Sequence, residues 1–573
     1  MSNRAMTSQP SAATQVERKG LGLFSGRRGL KRREAMLAYL FLAPAIIIIG
    51  LFGLFPLVFS AYQSTRAGLN NVVGRPDGLG QYIRAMDNLA YVFAFWMAVF
   101  FMVVAVQQIG ELLRTARAKE ENPWRWLLPG VLSAAGLALL LWFVFTFMPG
   151  LLEIGEKLVG LTADERNEMF SVFLREAWTT TGAASIFYYS VLALILSGAA
   201  YFLVQRNSPA TVRDSFYTGK LTTAVFMTLL AIALTWLTYG EIQAAYAEAL
   251  EAGESLALWA QIVTISAGFV LLLLSWLLWR TAAHRDSNLQ TGLRFLAAIL
   301  LMVGGWVLIT ELPAAIAEGD EDWWTGLLIT IYYVIGTLPL ELGLGLVLAT
   351  LLYQDIKAKG LFRMIFFLPY ITPEVGAAAV FKVLFSGNPT GTMNTVLASL
   401  GFAPLGWLNE PGGVNQIIGS ALNVNVPEWA AGPSLALVVA IVFGIWKYTG
   451  YNVVFFLAGL GNISREYYEA ASMDGAGRWA QFRHITLPLL SPITYFLTIF
   501  GVIGTFKAFN TIFVLRSRAA LGTMDTASLV IFDAFNRDTR IGYAAALGIV
   551  LLIVILGATA LLDRVAKGRV FYG

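Results

Sequence analysis

Twelve blocks of mostly apolar residues, each long enough to form a membrane-crossing helix, constrain this chain more than any other feature. About 20 such residues are needed for one helical span. Hydrophobic residues make up 57% of the sequence and charged residues 13%, about half the charged fraction of a soluble domain. The sequence therefore predicts an all-α, polytopic transmembrane helical bundle of about 12 helices. The predicted spans are 36–60, 89–110, 126–149, 184–204, 221–240, 258–279, 295–313, 326–352, 364–386, 434–459, 488–513 and 541–562.

One of these spans, 364–386, contains Pro369 and Pro373. Proline removes a backbone donor and interrupts a helix, and a membrane tolerates this only where neighbouring groups satisfy the freed carbonyls. We therefore expect this span to be broken or short.

The distribution of lysine and arginine predicts the orientation, since cytoplasmic loops carry an excess of both. If the basic N-terminal segment is cytoplasmic, most basic loops fall on the same side, and the acidic loops at 241–254 and 318–322 fall outside. The outside loop 514–540, with four arginines, is an exception. We expect both termini to be cytoplasmic, with no cleaved signal peptide. Residues 1–35 are expected to form a basic tail, disordered over 1–33.

Several kinds of site are excluded by residue counts. The chain has no cysteine, and its two histidines are His284 and His484, so thiolate chemistry, disulfides and the usual cysteine or histidine metal sites are not expected. It has no Walker-type Gly-Lys-Ser/Thr segment and should not bind ATP itself. We expect no catalytic residue, no metal, no cofactor and no nucleic-acid partner.

The segment 461–487 joins two predicted spans and has the pattern of a surface helix–turn–helix. Ser464 is a suitable N-cap for a first helix, and Glu466 lies in its first turn. Gly475 and Gly477 then end this helix and allow a turn before a second short helix. This shape suits docking to a soluble protein, although an ordinary amphipathic loop between two spans is the alternative.

The same segment resembles the EAA loop of ABC-importer permeases. It has the Glu-Ala-Ala sequence, a glycine a few residues later, and an Ile-x-Leu-Pro ending at Pro488. In that family the loop forms coupling helices that dock in a cleft of the ATPase subunit. The resemblance implies that the ATPase-coupling positions are Glu469, Ala470, Ala471, Asp474 and Gly475.

The resemblance extends to 36–60 and 326–573 and is closest to the carbohydrate-uptake permeases. It is carried by Phe41-Leu42-Ala43-Pro44, Phe367-Leu368-Pro369, Trp446-Lys447 and the stretch Phe506, Phe509 and Asn510. It implies a type I permease core made of the first core helix, 36–60, and of 326–573 with its coupling loop 461–487. Residues 61–325 are then an inserted region with about six extra spans. The Gly-Gly-Pro of the family is missing, and residues 518–523 stand in its place.

The resemblance implies that this chain is a subunit of an importer in the cell inner membrane. Its partners would be a second permease, two copies of an ATPase that binds the ATP, and an extracytoplasmic solute-binding protein. A sugar or sugar-like solute is the implied substrate. The substrate-pathway residues carried over from the family are Gly444, Tyr448, Tyr451, Gly501 and Thr505. For the two tyrosines, a packing role is the alternative.

Charged residues inside predicted spans are costly and often functional. Lys382 and Lys447 match the pattern of lysines that extend from helix ends to the membrane interface. Lys507 lies within the predicted span 488–513. For Glu341 the hypothesis is an ion pair with a lysine on a neighbouring core helix. Other functions stay open: a secondary transporter, a membrane-embedded enzyme, or a permease fused to a separate membrane module.

Overall fold

A computed structural model describes residues 26–68, 74–180, 182–207, 214–253, 258–282, 288–568 and 570. The chain consists of two compact units, residues 1–60 and 61–573. The first unit contains helix α1, Gly26–Ile49, then a π-helical turn, Gly50–Leu54, and the start of helix α2, Phe55–Gln63.

The predicted N-terminal tail is partly corrected by this unit. Residues 1–25 of the tail lie outside the described residues. Residues 26–33, predicted to be disordered, are helical and belong to α1. Leucine, lysine and arginine are good helix formers, so the basic run extends the apolar helix that follows it.

The second unit opens with a small sheet and continues into the region predicted as inserted. Strand β1, Arg66–Ala67, pairs antiparallel with strand β2, Arg75–Pro76. The helices that follow are α3 Gly80–Met86, α4 Leu89–Ala118, α5 Leu127–Lys157, α6 Ala163–Thr180, α7 Ala183–Arg206, α8 Asp214–Ala252, α9 Leu258–Ala282 and α10 Asn288–Glu318. A short 3-10 helix, Pro123–Trp126, precedes α5.

The region that resembles the permease core contains long helices separated by shorter ones. These are α11 Glu321–Tyr353, α12 Lys359–Ile371, α13 Glu374–Leu384, α14 Thr392–Ser399, α15 Val414–Ala421, α16 Leu435–Gly461, α17 Arg465–Met473, α18 Arg478–Gln481, α19 Leu487–Leu489, α20 Ser491–Phe506, α21 Asn510–Leu515, α22 Ala527–Asn536 and α23 Ile541–Ala566. A π-helical turn, Phe482–Thr486, connects α18 to α19.

The protein is an all-α polytopic membrane protein. The described residues contain ten helices long and apolar enough to cross a membrane, and two further pairs of apolar helices that are bent. All twelve predicted spans coincide with one of these helices or pairs. The expected break in 364–386 is confirmed, since α12 and α13 meet at 92° around Thr372 and Pro373.

A second break was not predicted. The span expected at 488–513 ends as a helix at Phe506 and restarts as α21 at Asn510. Side chains from elsewhere in the chain satisfy carbonyls at this interruption: Ser528 Oγ donates to Phe506 O and Thr526 Oγ1 donates to Ala508 O, each at 3.2 Å. The break therefore depends on tertiary hydrogen bonds that apolar periodicity does not reveal.

Helix packing follows the two predicted regions. In the inserted region α9 packs against α10, α4 against α8, and α5 against α7 and α8. In the permease-like region α16 packs against α11 and α12, and α20 packs against α11 and α23. The short helix α3 contacts α4, α10 and α23, so it connects the inserted helices to the last helix of the chain.

Candidate functional site

The segment 461–487 folds as the expected helix–turn–helix. Ser464 Oγ accepts a hydrogen bond from Glu466 N at 3.3 Å, so the predicted N-cap of α17 is confirmed. Gly475 has a φ of +80°, a left-handed conformation that glycine adopts without steric cost. Gln481 Nε2 donates to Ser472 Oγ at 2.9 Å and to Ala476 O at 3.0 Å, which joins α18 to the turn.

The base of this segment is anchored and its tip is exposed. Ile463 is buried in a cluster with the ends of α16 and α20, and Tyr468 OH is 3.0 Å from Thr486 Oγ1. At the tip, Met473 is 89% exposed and Trp479 is 71% exposed. The coupling residues carried over from the family share this surface, where Ala471 is half-buried and Glu469, Ala470, Asp474 and Gly475 are exposed.

A cavity of about 290 Å³ lies among α11, the bend between α12 and α13, α16, α20 and α21. Four of the five residues carried over as substrate pathway line it: Tyr448 and Tyr451 from α16, and Gly501 and Thr505 from α20. Residues that sequence reasoning did not select for the pathway also line it, among them Glu341, Tyr370, Glu374, Asn452 and Lys507.

Gly444 does not line the cavity. It lies where α16 meets α11, and a Cβ atom there would be 2.9 Å from both Thr337 Cγ2 and Tyr333 Oη. The structure therefore gives Gly444 a packing position, in which the absent side chain allows two helices to approach closely.

Aromatic rings form one wall of the cavity. The ring of Tyr370 is 4.8 Å from that of Tyr451 and 6.2 Å from that of Tyr448, measured between centroids. Tyr370 comes from the end of α12 and the other two from α16. One sequence feature could have pointed to Tyr370: it lies close to Pro373. The bend at this proline turns the end of α12, and Tyr370 with it, toward α16.

Lys447 holds this bend. It is 4% exposed, and its Nζ donates to Pro369 O and Tyr370 O at 3.0 Å and also to Thr372 O. The interpretation of Lys447 as an interface lysine is therefore wrong. Lys382 is exposed, and it also donates to backbone, to Val514 O and Arg516 O at 2.9 Å each.

The hypothesis of an ion pair for Glu341 is wrong as well. Among the ion pairs of the described residues, none includes Glu341. The residue is only 4% exposed and contributes to the cavity lining.

The arginines that contradict the charge pattern of the outside loops are partly paired. Arg516 forms ion pairs with Asp525 at 2.9 Å and with Asp533 at 2.7 Å, and Arg537 contacts Asp533 at 3.2 Å. Burial raises the pKa of the Asp525 carboxyl, and the positive charge of Arg516 opposes part of that rise. The contacts of Arg516 tie the loop before α22 to that helix, and the contact of Arg537 lies at the end of α22. Two of the four arginines in 514–540 therefore have ion-pair partners.

Comparison with known protein families finds a match to part of this chain. Residues 341–570 match the family model described as "Binding-protein-dependent transport system inner membrane component". The match includes the 461–487 segment and most residues that line the cavity.

Named relatives each align with a little under half of the chain. The arabinooligosaccharides transport system permease protein AraP of Bacillus subtilis (strain 168) is 31% identical over 264 residues, 46% of this chain and 77% of the relative. The lactose transport system permease protein LacF of Rhizobium radiobacter is 31% identical over 256 residues, 44% and 78%. The trehalose/maltose transport system permease protein MalF of Thermococcus litoralis is 28% identical over 249 residues, 44% and 76%.

Among solved structures, a bacterial alginate ABC transporter in complex with an alginate pentasaccharide-bound periplasmic protein aligns over 59% of this chain and 96% of its own. The identity is 19% and the TM-score 0.37.

The chain belongs to the family of binding-protein-dependent transport system inner membrane components. It is a multi-pass permease subunit of an ABC transporter rather than an enzyme. The family model matches residues 341–570 only, so its match leaves out the region 61–325 predicted as inserted.

Proposed function

We propose that this chain is the membrane-spanning subunit of a sugar importer driven by ATP hydrolysis on a partner ATPase. The exposed helix–turn–helix between α16 and α20 is the observation that carries the proposal. Large apolar side chains such as Met473 and Trp479 are rarely left so exposed on a loop that faces water, and a docking partner would bury them.

The segment is built to transmit movement. Hydrogen bonds within its turn and its buried base make it a compact unit rather than a loose loop. Its two ends continue into α16 and α20, the helices that contribute Tyr448, Tyr451, Gly501 and Thr505 to the cavity. Displacement of the segment by an ATPase would therefore move two walls of the cavity, opening it alternately to either side.

A sugar suits the cavity chemically. Tyrosine rings present flat apolar faces to a pyranose or furanose ring, and hydroxyl, amide and carboxylate groups can bind its hydroxyls. The relatives are named for arabinooligosaccharides, lactose and trehalose/maltose. These names support a sugar without selecting one.

The proposed assembly follows the family. This chain would pair with a second permease and with two ATPase subunits, and an extracytoplasmic binding protein would deliver the solute. Helix 36–60 and residues 326–573 would form the transport core, with 61–325 as an inserted region. The 461–487 segment and both termini would be cytoplasmic.

Co-purification tests the proposal. The tagged chain is extracted in mild detergent, and the proteins that remain bound are identified for the wild type and for a Glu469→Lys, Gly475→Pro double variant. An ATPase and a second permease should accompany the wild type. The double variant should lose the ATPase and keep the permease, because its changes lie on the exposed tip.

A matched control carries Glu251→Lys and Gly253→Pro at the end of α8. There the glutamate is also exposed, and the glycine also has a positive φ and no neighbouring atom within 4 Å. The control should keep the ATPase. If the wild type instead purifies alone and moves solute without ATP, the importer proposal fails and an ion-coupled secondary transporter takes its place.

A further inference from the structure

A groove on the inserted region lies between α5 and α6. It has a volume of about 500 Å³ and is lined by Phe147 of α5 and by Ser171, Leu174, Arg175 and Trp178 of α6. The four residues of α6 are spaced three and four positions apart, so one face of a single helix forms a whole side of the groove. The groove shares no residue with the cavity of the permease-like region.

The floor of the groove is aromatic and held by three helices. The ring of Trp178 lies 5.7 Å from those of Phe143 and Phe147 on α5, and 5.4 Å from that of Phe187 on α7, measured between centroids. Phe143 and Phe147 stack on each other at 5.3 Å. Packed rings of this kind offer a firm apolar surface to a hydrocarbon chain.

The groove lies at a boundary of the membrane. Phe147 is close to the end of the predicted span 126–149, and Trp178 precedes the predicted span 184–204. Both α5 and α7 are long and apolar enough to cross a membrane, and tryptophan is enriched where such helices meet the headgroup layer. An apolar groove at this depth therefore meets lipid.

Arg175 places a cation at the edge of this apolar surface. Its side chain is exposed, and among the described residues no ion pair includes it. A guanidinium presents several N–H donors in a planar fork that matches the oxygens of a phosphate. A phosphate joined to an apolar chain, as in a phospholipid, complements both parts of the groove.

The carboxylates of α6 indicate the kind of headgroup. Glu168 and Glu176 are exposed on the same helix as Arg175. They repel additional negative charge and attract an ammonium group. Phosphatidylethanolamine carries a phosphate and an ammonium, whereas phosphatidylglycerol carries the phosphate alone.

We propose that the groove between α5 and α6 binds one phosphatidylethanolamine molecule, with its phosphate on Arg175, an acyl chain on Phe147, Leu174 and Trp178, and its ammonium facing the carboxylates of α6. A bound lipid would give the inserted region a ligand of its own, beyond the proposed transport function.

Photolabelling of the complete complex tests the proposal. The complex, purified in mild detergent, is mixed with phosphatidylethanolamine that carries a diazirine in one acyl chain, irradiated and digested. The labelled peptides should come chiefly from α5 and α6 around the groove. Label spread evenly over the membrane-crossing helices would show an adventitious lipid only and overturn the proposal.

Competition then identifies which parts of the lipid are bound. Unlabelled phosphatidylethanolamine should suppress the label, and phosphatidylglycerol should do so less well. Dioleoylglycerol, which lacks the phosphate, and glycerophosphoethanolamine, which lacks the acyl chains, should have little effect. Equal competition by dioleoylglycerol would show a purely apolar contact and overturn the proposal, and stronger competition by phosphatidylglycerol would overturn the assigned headgroup.

Arg175→Gln removes the charge and keeps a side chain of similar shape. We expect half-maximal labelling to need about ten-fold more probe, the size expected for losing a hydrogen bond to a charged group. The matched control is Arg166→Gln, an exposed arginine of the same helix that does not line the groove. Unchanged labelling in Arg175→Gln, or an equal loss in both variants, overturns the proposal.

A second variant tests the groove itself. Ser171 is exposed, so Ser171→Trp can place a large ring in the groove without disturbing a buried contact. The label on α5 and α6 should then be lost, while the ATPase and second permease still co-purify. Full labelling of Ser171→Trp would show that the lipid lies elsewhere.

Discussion

Lys447 lies where α12 ends and α13 begins, and its ammonium is surrounded by backbone carbonyls rather than carboxylates. Pro373 has no N–H and the chain turns by 92° here, so the last carbonyls of α12 lack helical donors. An ammonium has three N–H donors, which match the three carbonyls it contacts. Lys447 therefore stabilises the bend that brings Tyr370 to the cavity.

We expect Lys447→Met to lower the thermal stability of the purified complex and to reduce uptake. Each hydrogen bond to a charged group contributes about 1.5–3 kcal/mol, and the buried side chain of Lys447 makes three of them. A destabilisation of about 2 kcal/mol or more is expected, measured by thermal unfolding in detergent with tryptophan fluorescence.

Lys382→Met is the comparison at an exposed position. Its Nζ also donates to two carbonyls, but water can replace an exposed donor, so the loss should be smaller. Equal losses in the two variants would show that burial does not decide the contribution of Lys447.

At the scale of elements, α16 is the helix around which the cavity is assembled. It packs against α11 and α12 and contributes Tyr448, Tyr451 and Asn452 to the lining. Its approach to α12 is limited by backbone, because a Cβ at Gly450 would lie 1.9 Å from Phe366 O. The absence of a side chain at Gly450 thus sets the distance between the two helices.

Gly450→Ala should separate α16 from α12 and disturb the aromatic wall. Overpacking of this kind costs typically about 1–3 kcal/mol, and backbone cannot move aside as a flexible side chain can. The expected result is a lower unfolding temperature together with reduced sugar uptake.

Gly548→Ala in α23 provides the control, since a methyl group added there would have no neighbouring atom within 4 Å. Alanine is favoured over glycine inside a helix by about 0.5–1 kcal/mol, so this variant should be neutral or slightly stabilised. A Gly450→Ala protein as stable as Gly548→Ala would rule out the close approach.

At the scale of the whole molecule, the proposed orientation of the membrane spans decides which surface would meet a partner ATPase. The proposed topology places the 461–487 segment in the cytoplasm and the acidic end of α10 outside. Two features support this arrangement: the distribution of lysine and arginine among the loops, and the exposed apolar side chains of the 461–487 segment.

The lack of native cysteine makes the topology directly measurable. In intact cells, a membrane-impermeant maleimide should label Glu318→Cys at once and Glu469→Cys only after the membrane is opened. Both positions are exposed, whereas Leu497, 2% exposed, supplies a buried control for a third variant. Immediate labelling of Glu469→Cys in intact cells would reverse the proposed orientation.

Local sequence determined much of this protein. Runs of about 20 apolar residues define the spans, because only a helix satisfies its own backbone within a membrane. Ser464 and Gly475 set the start and turn of the 461–487 segment, and Pro373 breaks the predicted span 364–386. These features depend on a few neighbouring residues, and they were predictable for that reason.

Tertiary structure alone decided the rest. Three features join residues from separate elements of the chain. The hydroxyls of Thr526 and Ser528 bond to carbonyls at the break after Phe506, and Lys447 on α16 bonds to carbonyls at the end of α12. Glu341 on α11 and Asn452 on α16 line the same cavity. No local pattern encodes such contacts, because they depend on how closely helices approach and which faces they turn toward each other.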